Sequence, residues 1–279
     1  MDKKATPWII FVVIIVLLIG LFVWKSATPA KAEGHVVLAI TDAATDMTNI
    51  SEIAVTVSEV DLHSTTQGWV TASTETKTFN LLALKAAGQS ALVNATDLSA
   101  DTYDQVRVTI TDVKVTTKDG VTTEAKLPSG EFKMDGQILV EAGKTSTVTL
   151  DFLADASLHL TGTGAFIFAP VINMRSASEA NVEVSSDEKV KVTQSKETDN
   201  RKAGMDIDGS VKADFQVDQN AKLDVDTDGV IRVTGNATST LHTTNKTTGN
   251  ATSTIHANVN GNMNVSVPPL KVKIPGVTY

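Results

Sequence analysis

Cysteine is absent from the 279-residue chain. That alone excludes disulfides, thiolate zinc sites, a thiol nucleophile and a lipid anchor on cysteine. Aromatic residues make up only 5% of the chain, and Trp69 is the one tryptophan beyond Trp24. A sugar-binding surface therefore has few rings to draw on. Trp69 and Tyr103 are its candidates, and a platform role requires Trp69 to be exposed beside polar groups.

Basic residues are in deficit. Setting aside the first 32 residues, with Lys3, Lys4, Lys25 and Lys31 against Asp2, leaves 20 basic and 31 acidic side chains, a net charge of −11. Nucleic-acid backbones require a basic surface, so no nucleic-acid partner is expected. The common catalytic signatures are also missing. There is no HExxH, no Gly-x-Ser-x-Gly elbow, no Walker A loop and no dinucleotide fingerprint. The five histidines, His35, His63, His159, His242 and His256, include no close pair. An enzyme is not expected. The alternative is an envelope enzyme using clustered carboxylates, with Asp42, Asp151 and Asp155 as its acid and base candidates.

Among the features present, the strongest is an uncharged run from Trp8 to Trp24, 17 residues long, with an unbroken apolar centre from Ile9 to Leu18. At about 1.5 Å per residue this reaches roughly 25 Å, near the lower limit for spanning a bilayer. A tryptophan at each end suits the membrane interface. The expected organisation is a cytoplasmic 1–7 and a transmembrane signal-anchor helix at 8–25, with the rest outside the cytoplasm. Residues 8–24 make the membrane contact. The alternative is secretion, because Ala30-Lys31-Ala32 has the small-x-small form that a signal peptidase cuts.

From Gly34 onward, short runs of alternating apolar residues are separated by Gly, Asp, Asn and Thr clusters. This predicts strand after strand, with one short helix near Leu81–Ala87. Two strands share a feature. Ile53, Val55 and Val57 give way to Val60 and Leu62, and Val106, Val108 and Ile110 give way to Val113 and Val115. The apolar parity switches in each, which predicts an inserted bulge. Glu59 and Asp112 occupy equivalent places in the two switches. They are either a cation site or charges facing water.

Several short motifs recur in order. Gly34-x-Val36-x-Leu38-x-Ile40-Thr41-Asp42-Ala43 opens the region, followed by Phe79-Asn80-Leu81-Leu82 and by Leu98 with Tyr103-Asp104-Gln105-Val106-Arg107. Leu150-Asp151-Phe152, Ala156-Ser157 and Pro170-Val171-Ile172 close it. In this order they resemble the exported domain-of-unknown-function family 4382 over about residues 34–175. The resemblance implies an extracytoplasmic β-sandwich and brings no catalytic residues. Asp101 departs from the pattern, standing where glycine is expected before the Tyr103 strand.

Residues 176–203 are crowded with charges of both signs and read as a charged linker or a weak exposed hairpin. In 204–279, Met205–Gly209 and Val225–Gly229 each end in an Asp-Gly turn signal. Gly235–His242 and Gly249–His256 repeat almost identically with period 14. Between Thr234 and Ser266, 19 of 33 residues are Ser, Thr or Asn, too polar to bury much surface. A β-hairpin or repeat region, or a disordered polar tail, is expected. Overall the fold class is mainly β: an antiparallel β-sandwich after one N-terminal helix.

Two sets of site residues stand out. Asp224, Asp226 and Asp228 alternate before Gly229, as oxygen ligands do in a calcium loop, but Gly235 takes the place of the bidentate glutamate. A hairpin with an acidic face explains the same residues, and calcium is the one cofactor to test. Six Asn-x-Ser/Thr sequons, at Asn49, Asn94, Asn236, Asn245, Asn250 and Asn264, are glycosylation candidates in a compartment with the transferase. The function expected is a surface structural or binding module whose partner is a cell-envelope polymer or protein.

Overall fold

The computed structural model describes residues 32–42 and 47–234. The 8–24 segment, most of the Ala30–Ala32 motif, His242, His256, the period-14 repeat and the sequons at Asn236, Asn245, Asn250 and Asn264 lie outside the described residues. Among the described residues, no helix is long and apolar enough to cross a membrane.

The chain is mainly β. It runs through β1 (Glu33–Asp42), β2 (Ile50–Ser64), β3 (Gly68–Ser73) and β4 (Lys77–Asn80) into helix α1 (Leu81–Ala87). β5 (Ser90–Ser99), β6 (Asp101–Thr117), β7 (Thr122–Glu124), β8 (Glu131–Val140) and β9 (Thr145–Phe152) follow. A short helix α2 (Ala154–Ser157) then leads to β10 (Leu158–Leu160), β11 (Phe166–Phe168), β12 (Val171–Val184) and β13 (Lys189–Met205). β14 (Val211–Ala213), β15 (Leu223–Val225) and β16 (Ile231–Val233) complete it. α1 forms where expected. Asn80 caps its first turn by accepting from the Ala83 amide, and Gly88 ends it in the left-handed region at φ 59°.

Two large sheets share one core. The first is built around β2 and β6, with β3 and β4 along the free edge of β2 and β7 and β8 along the free edge of β6. The parity switches are bulges. Pairing skips Ser58 in β2 and Thr111 in β6 at adjacent levels, so Val57, Val60, Ile110 and Val113 all stay inside. The second sheet runs β12-β9-β1-β5-β13-β14, and β12 also pairs with β13. That extra pairing closes a ring of five strands. The closure is narrow: only Lys189↔Ala91 and Val190↔Ser90 join β13 to β5. Val36, Leu38, Ile40, Leu150, Phe152 and Met174 of this sheet meet Val60, Leu62, Val108 and Phe132 of the other in a single buried cluster.

Three features depart from the sequence reading. The sheets are not purely antiparallel, because β1 and β9 pair in parallel from His35↔Thr145 to Asp42↔Phe152. A parallel pair needs a long crossover, and here nearly the whole first sheet supplies it. Of the two readings of residues 176–203, the hairpin holds and the linker does not. These residues are arms of the β12–β13 hairpin, paired from Val171↔Gly204 to Val184↔Val190. Met174, Ser176, Ser178 and Ala180 point inward. Past Ala180 most residues of both arms are exposed, where charge is tolerated, until the tip returns to β5 at Lys189 and Val190. The described part of the region from 204, up to residue 234, is not separate either. Gly204 and Met205 end β13, and residues 206–234 pack back on β11 through a second cluster of Ile167, Ala169, Phe215, Val217 and Leu223.

The sheets are stitched together beside β8. The Gln137 amide donates to Asp199 Oδ2 at 2.7 Å, and Ser176 Oγ donates to the Gln137 carbonyl at 2.6 Å. Gly136 permits this approach, because a Cβ there would stand 2.0 Å from Met174 Cε. β8 is thereby fixed next to β13 and β14.

Candidate functional site

Strand alternation decides what the outer face of the first sheet carries. With Leu62, Val106 and Met134 turned inward, their neighbours turn outward. Register then lines these up in two rows across four strands. One row is Trp69, His63, Gln105 and Asp135, and the next is Thr71, Asp61, Arg107 and Lys133.

The rows are locked by contacts between them. Arg107 donates from Nε (3.0 Å) and Nη2 (2.7 Å) to Asp61 Oδ2. Arg107 Cζ also lies 4.4 Å from the centroid of the Trp69 ring. The Asp61 side chain is only 3% exposed although it belongs to an outer face, which places it beneath the ring and guanidinium. Its hydrogen bonds, reinforced by the charges of Glu131 and Glu59, raise Arg107 above its ordinary pKa. The His63 ring stands 5.1 Å from Trp69, and its Nδ1 is 2.6 Å from Asp104 Oδ1. Asp104 occupies the bulge that pairing skips between Tyr103 and Gln105. Gln105 Nε2 donates to Asp135 at 2.9 Å. Trp69 is half-buried. Arg107 and the tilted His63 ring both pack against it, so the exposure that a sugar platform requires is met only in part.

Asp101 explains its own departure from the family pattern. It accepts hydrogen bonds from Ser64, Thr66 and Gln67, and so ties the turn leading into Trp69 to the start of β6. The Thr66 and Gln67 bonds hold its carboxyl well below the usual carboxylate range. Gln67 also donates to the Tyr103 hydroxyl, which donates in turn to the Ser99 carbonyl. Tyr103 is fully buried, so it supports the fold and offers no platform.

The rows end at β8 in a groove of about 470 Å³ between β8, β13 and β14. Lys133, Arg201, Lys202 and Lys212 line it, with Asp135 and Asp214. Arg201 is paired with Asp199 and Lys212 with Asp206, at 2.8 and 2.6 Å. Among the described residues, Lys133 and Lys202 have no ion-pair partner within 4.0 Å.

The other candidate residues do not converge. Among the described residues, no group of three or more acidic or imidazole side chains is placed to hold a metal ion. Asp226 is committed to its own hairpin. It accepts from the Asp228 and Val230 amides and pairs with Arg232 at 2.8 Å, and these contacts, the Val230 amide foremost, lower its pKa. Asp224 accepts from Thr163 Oγ1 at 3.0 Å, and Asp228 is exposed. Of the two readings of these residues, the contacts describe the β15–β16 hairpin, with Asp226 capping its turn. Asp42 faces the core side of β1 and accepts from the Ala154 amide at the start of α2. Asp151 falls on the other face of its sheet, 3.7 Å from Arg175, and Asp155 bonds the neighbouring Ala156 amide. Carboxylates on opposite faces do not make an acid–base pair. Glu59 and Asp112 sit opposite Thr109 and Thr56, on the two sides of the bulged pairs, and Asp112 contacts Lys114 at 3.2 Å. Asn49 is exposed in a turn. Asn94 instead donates its side-chain nitrogen to the Ala72 carbonyl at 2.7 Å, so in the folded domain that nitrogen is engaged.

Sequence reasoning picked out Trp69 but missed Asp61, His63, Arg107, Lys133 and Lys202. Register brings the first four together, and Lys202 joins them only across the groove from β13.

Residues 33–170 match the family model of the Domain of unknown function (DUF4382). No match is found among curated proteins or among solved structures. β12 and β13, which close the second sheet, lie beyond the matched residues.

Proposed function

We propose that this DUF4382-bearing chain is an extracytoplasmic binding module. Residues 8–24 hold it on the membrane, and it engages a cell-envelope polymer through the outer face around Trp69. The observation that carries this reading is the half-buried Trp69 ring set against Arg107, which is itself paired with the buried Asp61. A protein with so few aromatic rings holds its only tryptophan beyond the hydrophobic run at the surface, in a fixed orientation. Planar rings of this kind with hydrogen-bonding neighbours suit sugar recognition. The separation of Asp42 from Asp151 favours binding over catalysis.

Two measurements on the full chain test this. Expressed with a C-terminal tag, the protein should stay in carbonate-washed membranes and lose the tag to external protease. An intact mass starting after Ala32 would show release instead. Co-sedimentation with purified envelope polysaccharide should fall at least tenfold in Trp69→Ala without loss of cooperative melting. Equal sedimentation of the variant and the parent rules out this face.

A further inference from the structure

We infer that the polymer bound by this face is an acidic polysaccharide, running from Trp69 across the sheet into the groove between β8, β13 and β14. This rests on the reading of the Trp69 face above and adds the chemistry of its ligand. The first row offers a ring at one end, then His63, Gln105 and Asp135 on successive strands. Three inter-strand steps make a track of about 14 Å, the scale of a short run of sugars. His63, Gln105 and Asp135 are held by neighbours, which fixes the spacing of hydrogen-bonding groups along the track.

The charge argument comes from the far end. Lys133 belongs to the second row and also lines the groove, so track and groove are continuous. Lys202 joins it from β13. The other two cations of the groove already have carboxylate partners in Asp199 and Asp206. Two lysines without such partners line one groove, against Asp135 and Asp214, a placement suited to carboxylate or sulfate groups on a ligand. Asp135 at the entrance has its Oδ1 engaged by Gln105, which moderates its repulsion of an anionic chain. Ring stacking then supplies sequence-tolerant contact, and the lysines supply discrimination by charge.

The test is affinity electrophoresis of the detergent-solubilised full chain through gels containing sodium polygalacturonate, dextran or a single-stranded oligonucleotide. The expected result is retardation by polygalacturonate that weakens with added salt, with little retardation by the other two. Trp69→Ala and the double variant Lys133→Ala/Lys202→Ala should each weaken it about tenfold while melting as the parent does. Retardation by dextran equal to that by polygalacturonate, or an unaffected lysine double variant, overturns the acidic-ligand inference. If Trp69→Ala still abolishes binding in either case, the underlying reading stands. Equal retardation by the oligonucleotide shows unspecific anion binding and also overturns the inference. No retardation in any gel overturns it as well.

Discussion

The large core between the two sheets and the small cluster under residues 206–234 differ in what brings their residues together. In the large core, long strands alternate strictly, so Leu62, Val108, Phe132 and Phe152 reach one interior from many sequence positions. The small cluster has no such periodicity. It sets Ile167 and Ala169, around β11, against Phe215, Val217 and Leu223 from a stretch rich in Asp. The first is redundant, with each residue held by many others. The second depends on a few contacts and encloses a polar group, since His159, paired across from Ile167, is buried there. A polypeptide can thus carry two apolar units of unequal strength on opposite sides of one strand.

The largest expected effect lies in the large core. Phe132 is fully buried, and Phe132→Ala should cost about 3–5 kcal/mol by lost transfer energy and the remaining cavity. Denaturant unfolding followed by circular dichroism reads this as a lower midpoint for the whole transition. A loss under about 1 kcal/mol would mean that the core is not the cooperative unit described.

His159 gives the next largest effect, with a pH signature. Burial pushes its pKa down to about 4, against a smaller opposing pull from Asp218. A lowered histidine pKa means the unfolded chain takes up the proton first. Stability is therefore full above the unfolded value near 6.5 and falls as pH drops from there toward 4, by about 3 kcal/mol at the lower end. Unfolding midpoints between pH 7 and 4 should show this slope, and His159→Gln should flatten it in that window. An unchanged slope in the variant would assign the pH dependence to other groups.

Phe215→Ala separates the two units. Phe215 is buried in the small cluster, and Lys212 Nζ lies 5.0 Å from its ring centroid. The expected loss is about 2 kcal/mol, confined to the local opening of residues 206–234 and β10–β11. Hydrogen exchange should quicken there and stay unchanged in β2 and β6. With the cover loosened, water reaches His159, and its pKa should rise toward its ordinary value. Uniformly faster exchange across both sheets would show that the clusters open together.

The contrast also explains what was legible in the sequence. The β2 and β6 bulges, α1 and the two Asp-Gly turns were readable because local pattern and turn chemistry determine them. The parallel β1–β9 pair was not, because nothing in either strand specifies its partner. The β12–β13 arms read as a linker or a weak hairpin because half their length is solvated, and composition averages over the half that is buried. The small cluster was invisible for a similar reason: Phe215 and Val217 stand alone among polar residues, and only β11 makes them a core. Of the candidate site, Trp69 could be singled out by its rarity. Its association with Arg107 and Asp61 depends on three strands in register.

Asp226 provides the finest test, because it decides whether the small cluster has its own internal support. Its carboxylate accepts from the Asp228 and Val230 amides and from Arg232, and so holds the turn between β15 and β16. β15 delivers Leu223 to the small cluster. Asp226→Ala removes the acceptor of both amides, so their exchange should quicken, with a lesser effect at Leu223. Whole-protein melting should not change measurably, because the large core carries that transition. Asp226→Asn keeps a side-chain oxygen for the amides while losing the charge for Arg232, and should retain most of the protection. Calcium should slow neither variant's exchange nor the parent's, since the carboxylate is already committed to the hairpin. Calcium-dependent protection in the parent that disappears in Asp226→Asn would restore a metal role to these residues. It would also make the small cluster conditional on the ion.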